Sequence, residues 1–239
     1  MSDDVADDRP SVSIVIPCHN EERNVERAVT ETLGSLGGLD LEVLVEEDGS
    51  TDRTAEIARS LAEGDPRIRV LSFPEERLGK GGGFARAAGK ATKDVIVLMD
   101  ADLAVHPREV LRALDRMQGG VAMVIGSREV AGSKRMVDQT PARRVAGKAF
   151  SLLVRTMFWL PFNDLQCGFK VMRREVIETT TLTHLGWEFD TELIWKALRA
   201  GFTVEEMGVH WTEGGDSRLR IYPDAFNMLW GLILLRLGR

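Results

Sequence analysis

Cysteine is almost missing from this chain. Cys18 and Cys167 are the only two in 239 residues. They lie far apart and without metal-ligand spacing, which excludes a disulfide framework and a thiolate metal cluster and fits a reducing compartment. Histidine is also scarce: four scattered residues do not make a His-based metal centre. No apolar run approaches the roughly 20 residues needed to cross a bilayer, and no secretory signal is visible. Basic residues are not in excess. The net charge is −6 and the pI about 5.4, which speaks against a general nucleic-acid binder, so no nucleic-acid partner is expected. There is neither an internal repeat nor a flexible linker, and one continuous domain is expected.

Hydrophobic residues make up 44% of the chain, enough for one substantial core. Residues 1–10 are Asp-rich and polar and read as a disordered acidic tail. Residues 11–220 form the main domain. Residues 221–239 form an apolar C-terminal helix whose Trp230, Arg236 and Arg239 suit a membrane interface. The other uses of that helix are closure of the core or a homodimer interface.

β-Branched residues 12–16 read as a first strand, followed by a helix over 24–36, a strand at 41–45 and a helix through 62. Further strands are expected at 68–71, 95–99 and 121–125, with helical segments within 78–91 and over 107–117. Strands alternating with helices at this spacing imply an α/β fold with a mostly parallel central sheet flanked by helices. The alternation breaks after about residue 127. A basic helical middle, a polar stretch at 163–168, a short strand at 168–172, a helix near 189–200 and a strand near 203–209 follow.

Polar residues gather after the strands, where an open α/β sheet binds its ligands. The strand at 95–99 runs into Asp100-Ala101-Asp102. Two carboxylates at one strand tip repel each other, and a divalent cation carrying a phosphorylated substrate would offset that; the plainer reading is an acidic, solvated turn. Asp48-Gly49-Ser50-Thr51-Asp52 enters a helix, with Ser50, Thr51 or Asp52 as its cap and Asp48 able to accept from a base or ribose. Gly79-Lys80-Gly81-Gly82-Gly83 reads as a glycine-rich turn before a helix, where amides and Lys80 could meet phosphate. Its spacing matches neither the phosphate loop nor the dinucleotide fingerprint. Arg128, Arg143, Arg144 and Lys148 suit an anionic headgroup beside the apolar stretch 150–162; the plainer reading of this basic segment is an ordinary charged helix face. Asp190 and Glu192, two apart on a helix, cannot share a face. His210 is a further metal candidate.

Taken in order, 12–17 with Asn20 and Glu21, then 47–52, then Asp100-Ala101-Asp102, resemble the inverting glycosyltransferases of family 2, which have the GT-A fold. Gly79-Lys80-Gly81, 126–128, 164–170 and 187–192 are most similar to its polyprenyl-phosphate branch, which includes the dolichyl-phosphate glucose and mannose synthases. The resemblance spans about 12–219. It implies that 11–220 is a GT-A catalytic domain using a nucleotide sugar, Mg²⁺ or Mn²⁺, and a polyprenyl or dolichyl phosphate acceptor. Pro17, Asn20, Glu21, Asp48, Lys80, Asp100, Ala101 and Asp102 would bind the nucleotide sugar. Asp100 and Asp102, with His210 as the further candidate, would hold the metal. Arg128, Arg143 and Lys148 would receive the acceptor phosphate, and Asp102, Asp164 and Asp190 would be the catalytic carboxylates. Ala104 stands where some relatives carry Gln. The segment 209–213 with Ser217 and Arg218 is more similar to the glucose synthases, which favours a UDP-sugar over GDP-mannose. A peripheral position on the cytoplasmic face of a membrane follows as an expectation. The competing readings are a GDP-mannose-dependent synthase, a transferase with a soluble glycan acceptor, a nucleotidyltransferase and a non-catalytic nucleotide-sugar-binding protein.

Overall fold

The computed structural model describes residues 9–73, 77–135, 141–184, 186, 188–212 and 221–237, with side chains at all of these except 135, 141–146 and 221–227. Most of the acidic tail, Trp187 and Glu213 therefore lie outside the described residues.

Val12–Cys18 (β1) is β-branched at most positions and almost wholly buried, as a central strand covered on both faces must be. Val25–Leu36 (α1) follows, with Val25, Ala28, Val29, Thr32 and Leu36 on one buried stripe. Leu41–Glu47 (β2), Thr54–Gly64 (α2), Ile68–Ser72 (β3), Gly79–Ala88 (α3), Val95–Leu98 (β4), Glu109–Met117 (α4) and Met123–Ser127 (β5) continue the expected alternation. Lys134–Arg135 (β6), Pro141–Phe158 (α5), Lys170–Arg173 (β7), Arg174–Thr179 (α6), Phe189–Arg199 (α7), Val204–Gly208 (β8), His210–Trp211 (β9) and Ile221–Arg236 (α8) complete the described elements.

The main sheet runs β3-β2-β1-β4-β7-β5-β8. All pairings are parallel except those of β7, which is antiparallel to both β4 and β5. This matches the expected α/β, mostly parallel architecture. Alternate strand residues feed two cores. Val12, Ile14, Ile16, Val43 and Val97 pack with α1, α2 and α4, while Val15, Leu44, Ile96, Leu98 and Met123 pack with α3, α5, α7 and α8. Full burial of each large apolar side chain stabilises the fold by about 1.5–3 kcal/mol. Leu232 and Leu235 of α8 belong to the second core, so the C-terminal helix closes that layer.

Two local expectations change. The glycine trio is not a turn: Gly81, Gly82 and Gly83 are buried inside α3. Gly83 is required there because a β-carbon would overlap the Glu46 carboxylate of β2. The fifth strand is shifted two residues along, to Met123–Ser127, where pairing with β7 and β8 fixes its register.

Candidate active site

The parallel strands β1, β2, β4 and β5 bring their C-terminal tips to one edge. Because β7 runs the other way, its first residue joins them, with Lys170 opposite both Leu98 and Ile125.

On the β1–β2 side the loops are stitched to each other. Asn20, at φ 54°, accepts the Thr51 backbone N–H at 2.7 Å and donates its own N–H to Ser50 Oγ at 3.0 Å. Glu21 donates its N–H to Thr54 Oγ1 at 2.7 Å and accepts from Asn24. Asp52 is the cap at the start of α2, accepting the Thr54 N–H at 3.0 Å. Pro17 sits in β1 opposite Glu46. Asp48 turns to α3: its two oxygens accept the backbone N–H groups of Leu78 at 2.8 Å and Gly79 at 2.9 Å. It therefore caps α3 from another strand, supplying orphan donors with a partner that Leu78 cannot provide.

This fixes the start of α3 and aims Lys80 at the acidic pair. Its ammonium lies 2.5 Å from Asp100 Oδ1. Burial opposes that charge, but Asp100, Asp190 and Asp102 together raise the Lys80 pKa. Gly168 packs against the other side of Asp100, where a β-carbon would overlap the carboxylate. Asp102 accepts the Ala104 N–H at 2.9 Å, and its backbone carbonyl accepts from Arg27 at 2.8 Å. Burial, then the neighbouring Asp100 charge, push the Asp102 carboxyl up. Ala101 between them is buried in the α1 core.

Asp190 stands in the first turn of α7, nearly fully buried. Lys170, itself 1% exposed, reaches it at 2.5 Å and also donates to the Cys167 carbonyl at 2.7 Å. Burial pushes the Asp190 carboxyl up, against the pull of Lys170 and Lys80. Glu192 points elsewhere, as its spacing requires. It accepts from Thr183, the His184 N–H and Lys196, and so holds the segment leading into α7.

The β5 side is different. Asp164 is gripped by Arg128 through Nε at 2.7 Å, Nη2 at 3.0 Å and the backbone N–H at 3.0 Å. Burial raises this carboxyl, but the guanidinium outweighs it and holds the group below its ordinary range. Glu206 accepts the Asn163 and Asp164 N–H groups at 2.8 Å and fixes the loop. Lys148 is exposed and 3.7 Å from Glu129. Arg143 lies in α5, with its side chain outside the described residues. His210 falls away from the acidic pair: Trp211 bridges Val105, Thr212 bonds Ala104, and the antiparallel register carries His210 back to Glu109 at 3.5 Å.

Among the described residues no three His, Cys, Asp or Glu side chains form a metal site. Two carboxylates at a partly open edge, one of them already holding a cation, nevertheless match the donor set by which Mg²⁺ or Mn²⁺ is held on substrate phosphates. Sequence reasoning passed over Lys170, Glu46 and Arg86. A lysine in an otherwise apolar short strand was the available signal for the first. Glu46 is wholly buried, pairs with Arg86 at 2.9 Å, and burial pushes its pKa up to about 7.

The family model for "Glycosyl transferase family 2" matches residues 13–181. The chain belongs to glycosyl transferase family 2. That span holds Asp48, Lys80, Asp100, Asp102, Arg128, Asp164 and Lys170, whereas Asp190 comes after it. Among family relatives, Glycosyltransferase AglD of Haloferax volcanii is 38% identical over 91% of this chain. Dolichyl-phosphate beta-glucosyltransferase ALG5C of Trichomonas vaginalis is 30% identical over 87%. The chain spans 35% and 66% of their respective lengths. Glucosyl-3-phosphoglycerate synthase from Mycobacterium tuberculosis, solved with Mn²⁺, UDP and glucosyl-3-phosphoglycerate, shares the GT-A fold. Its TM-score is 0.71 at 23% identity, with 96% of this chain and 80% of that one covered.

Proposed function

We propose that this chain transfers a hexose from a nucleotide sugar, a UDP-sugar such as UDP-glucose in first place, to a polyprenyl or dolichyl phosphate with inversion at the anomeric carbon. The observation that carries this reading is the pair Asp100 and Asp102 at the β4 tip, facing Lys80, with the Arg128 cation on the same sheet edge. One side of that edge suits a diphosphate and the other an anionic acceptor. The dolichyl-phosphate glucosyltransferase among the relatives supports the choice of acceptor, and the resemblance of 209–213 supports the choice of sugar.

Asp100 and Asp102 would hold Mg²⁺ or Mn²⁺, which when bound supplies positive charge to the departing diphosphate. Lys80 adds a second cation there. Pro17, Asn20, Glu21 and Asp48 border the nucleoside side. Arg128, Arg143 and Lys148 orient the acceptor phosphate, which is largely ionised near neutral pH and attacks without a strong general base. Asp164, with both oxygens on Arg128, serves by fixing that guanidinium. Asp190 serves by holding the ammonium groups in register.

No helix among the described residues is long and apolar enough to cross a membrane. Helix α5 instead exposes Leu152 and Leu153, α8 exposes Trp230, and Trp159 and Leu237 are exposed just past the ends of these helices, Trp159 to 86%. Such a patch suits peripheral contact with a membrane holding the lipid acceptor; the cytoplasmic face is the side where nucleotide sugar would meet it. The test is a panel of UDP- and GDP-sugars with a short polyprenyl phosphate, products resolved by mass spectrometry, with and without EDTA and vesicles. A metal-dependent hexosyl lipid phosphate is expected. Transfer only to soluble glycans, or no product with any donor, overturns the reading.

A further inference from the structure

One charge arrangement at this edge goes beyond binding a donor. Four charged groups run from the interior to the open edge in alternating sign: Lys170, Asp190, Lys80 and Asp100. Lys170 pairs with Asp190 at 2.5 Å. Lys80 pairs with Asp100 at 2.5 Å while Asp190 and Asp102 also act on its charge. Asp100 Oδ1 is thus already occupied by a cation that belongs to the protein. Its other oxygen is packed against Gly168, and one oxygen of Asp102 is held by the Ala104 N–H. A divalent ion approaching this pair meets an ammonium at the oxygen it needs. A monocation and a dication on one carboxylate, partly out of water, repel strongly.

The backbone beneath Lys80 is fixed, because Asp48 holds the N–H groups of Leu78 and Gly79. The freedom lies in the four-carbon side chain above it. Asp190 offers the ammonium a second anion on the inner side, and a bound diphosphate would offer a third. We propose that Lys80 is the resident counterion of Asp100 in the metal-free protein, that a divalent cation binds by displacing it, and that the displaced ammonium moves to Asp190 and the donor diphosphate.

This rests on the metal-dependent reading above and deepens it. The exchange makes metal and nucleotide binding interdependent. Metal alone must evict Lys80 toward a single buried carboxylate, whereas metal with nucleotide gives that ammonium a phosphate partner. By linkage the coupling is reciprocal: the nucleotide strengthens metal binding as much as metal strengthens nucleotide binding.

The experiment measures Mn²⁺ binding directly, by the electron paramagnetic resonance signal of free Mn²⁺ and by calorimetry, with and without UDP and with no acceptor present. Lys80→Met is expected to bind Mn²⁺ alone at least ~5-fold more tightly than the wild type, because no ammonium has to leave. The factor by which UDP tightens Mn²⁺ binding is expected to fall at least ~5-fold in the same variant, because one cation–phosphate partner is gone. Lys90→Met removes the same charge from an exposed turn just beyond the end of α3 and should match the wild type. Lys80→Arg keeps the cation and should bind Mn²⁺ alone no more tightly than wild type. If Lys80→Met melts early, Lys80→Gln carries the same expectation. Mn²⁺ binding by Lys80→Met that is no tighter than by wild type, or tightening by Lys90→Met of equal size, overturns the exchange while leaving metal-dependent transfer intact. Absence of Mn²⁺ binding by every protein, with UDP present, removes both the exchange and the metal-dependent reading on which it rests.

Discussion

Asp164 and Asp190 have the same side chain, comparable burial and one cationic partner each, yet their chemistry differs. Asp164 receives three hydrogen bonds from Arg128 alone, two of them from the fork of the guanidinium. The charged form is saturated, and the carboxyl sits below its ordinary range. Asp190 has one ammonium on one oxygen, with Asp100 near enough to repel it, and burial pushes it upward. The first is a closed pair that holds a loop. The second is part of a chain of charges that can rearrange when a cation or an anion arrives. Burial and a partner do not by themselves mark a working carboxylate; how completely the partner satisfies it does.

The largest test of that contrast is Arg128→Ala. It strands Asp164 in the interior and should destabilise the protein by about 3–5 kcal/mol in urea unfolding. A loss below about 1 kcal/mol would dissolve the distinction between closed and open pairs. Next is Asp102→Ala on the open side. Turnover should fall about 10²–10³-fold, roughly 3–4 kcal/mol of barrier, while the midpoint of unfolding stays or rises because one of two repelling carboxylates is gone. Near-normal turnover at saturating donor refutes its role.

Glu46 extends the comparison to pH. In the folded chain it titrates at about 7, against 4.5 for the ordinary group. Between those values the folded state binds more protons than the unfolded one, so stability rises as pH falls. The contribution is fully present below about pH 4.5 and is lost as pH climbs through about 7. It amounts to about 3 kcal/mol across that window. Glu46→Gln should flatten that slope in unfolding curves taken from pH 5 to 8; an unchanged slope assigns the titration to another group. Asp164 should act in the opposite sense, its stabilisation lost as pH falls through its lowered pKa. The smallest effect is that of Arg143→Ala. KM for the lipid phosphate should rise about 10-fold, roughly 1.4 kcal/mol, with KM for the donor little changed. Equal shifts of both constants remove it from the acceptor site.

The left half of the sheet was readable because its signals are local. A β-branched run such as 12–16 has few alternatives to a buried strand, and Ser50-Thr51-Asp52 before a helix offers cap candidates by residue type alone, among which the fold uses Asp52. The acidic pair followed from its place at the end of an apolar run. The right half was less readable. The four-residue β7 carries no mark that it enters between β4 and β5 in the opposite direction, since that choice is made by hydrogen bonds to partners 72–78 and 45–49 residues away in sequence. Lys170 resembles a surface lysine until that insertion turns it inward. The glycines of α3 look like a turn until Glu46 is found beneath them.

The order of residues alone determined the alternation of the main strands with helices and which acidic and basic groups arrive at their ends, because hydrophobic period and capping act over a few residues. Which of those groups meet, and whether a carboxylate is sealed or left able to change partners, was decided only by the folded arrangement. Charge pairing in a low-dielectric interior depends on distances of a few ångströms between segments that the chain itself holds far apart.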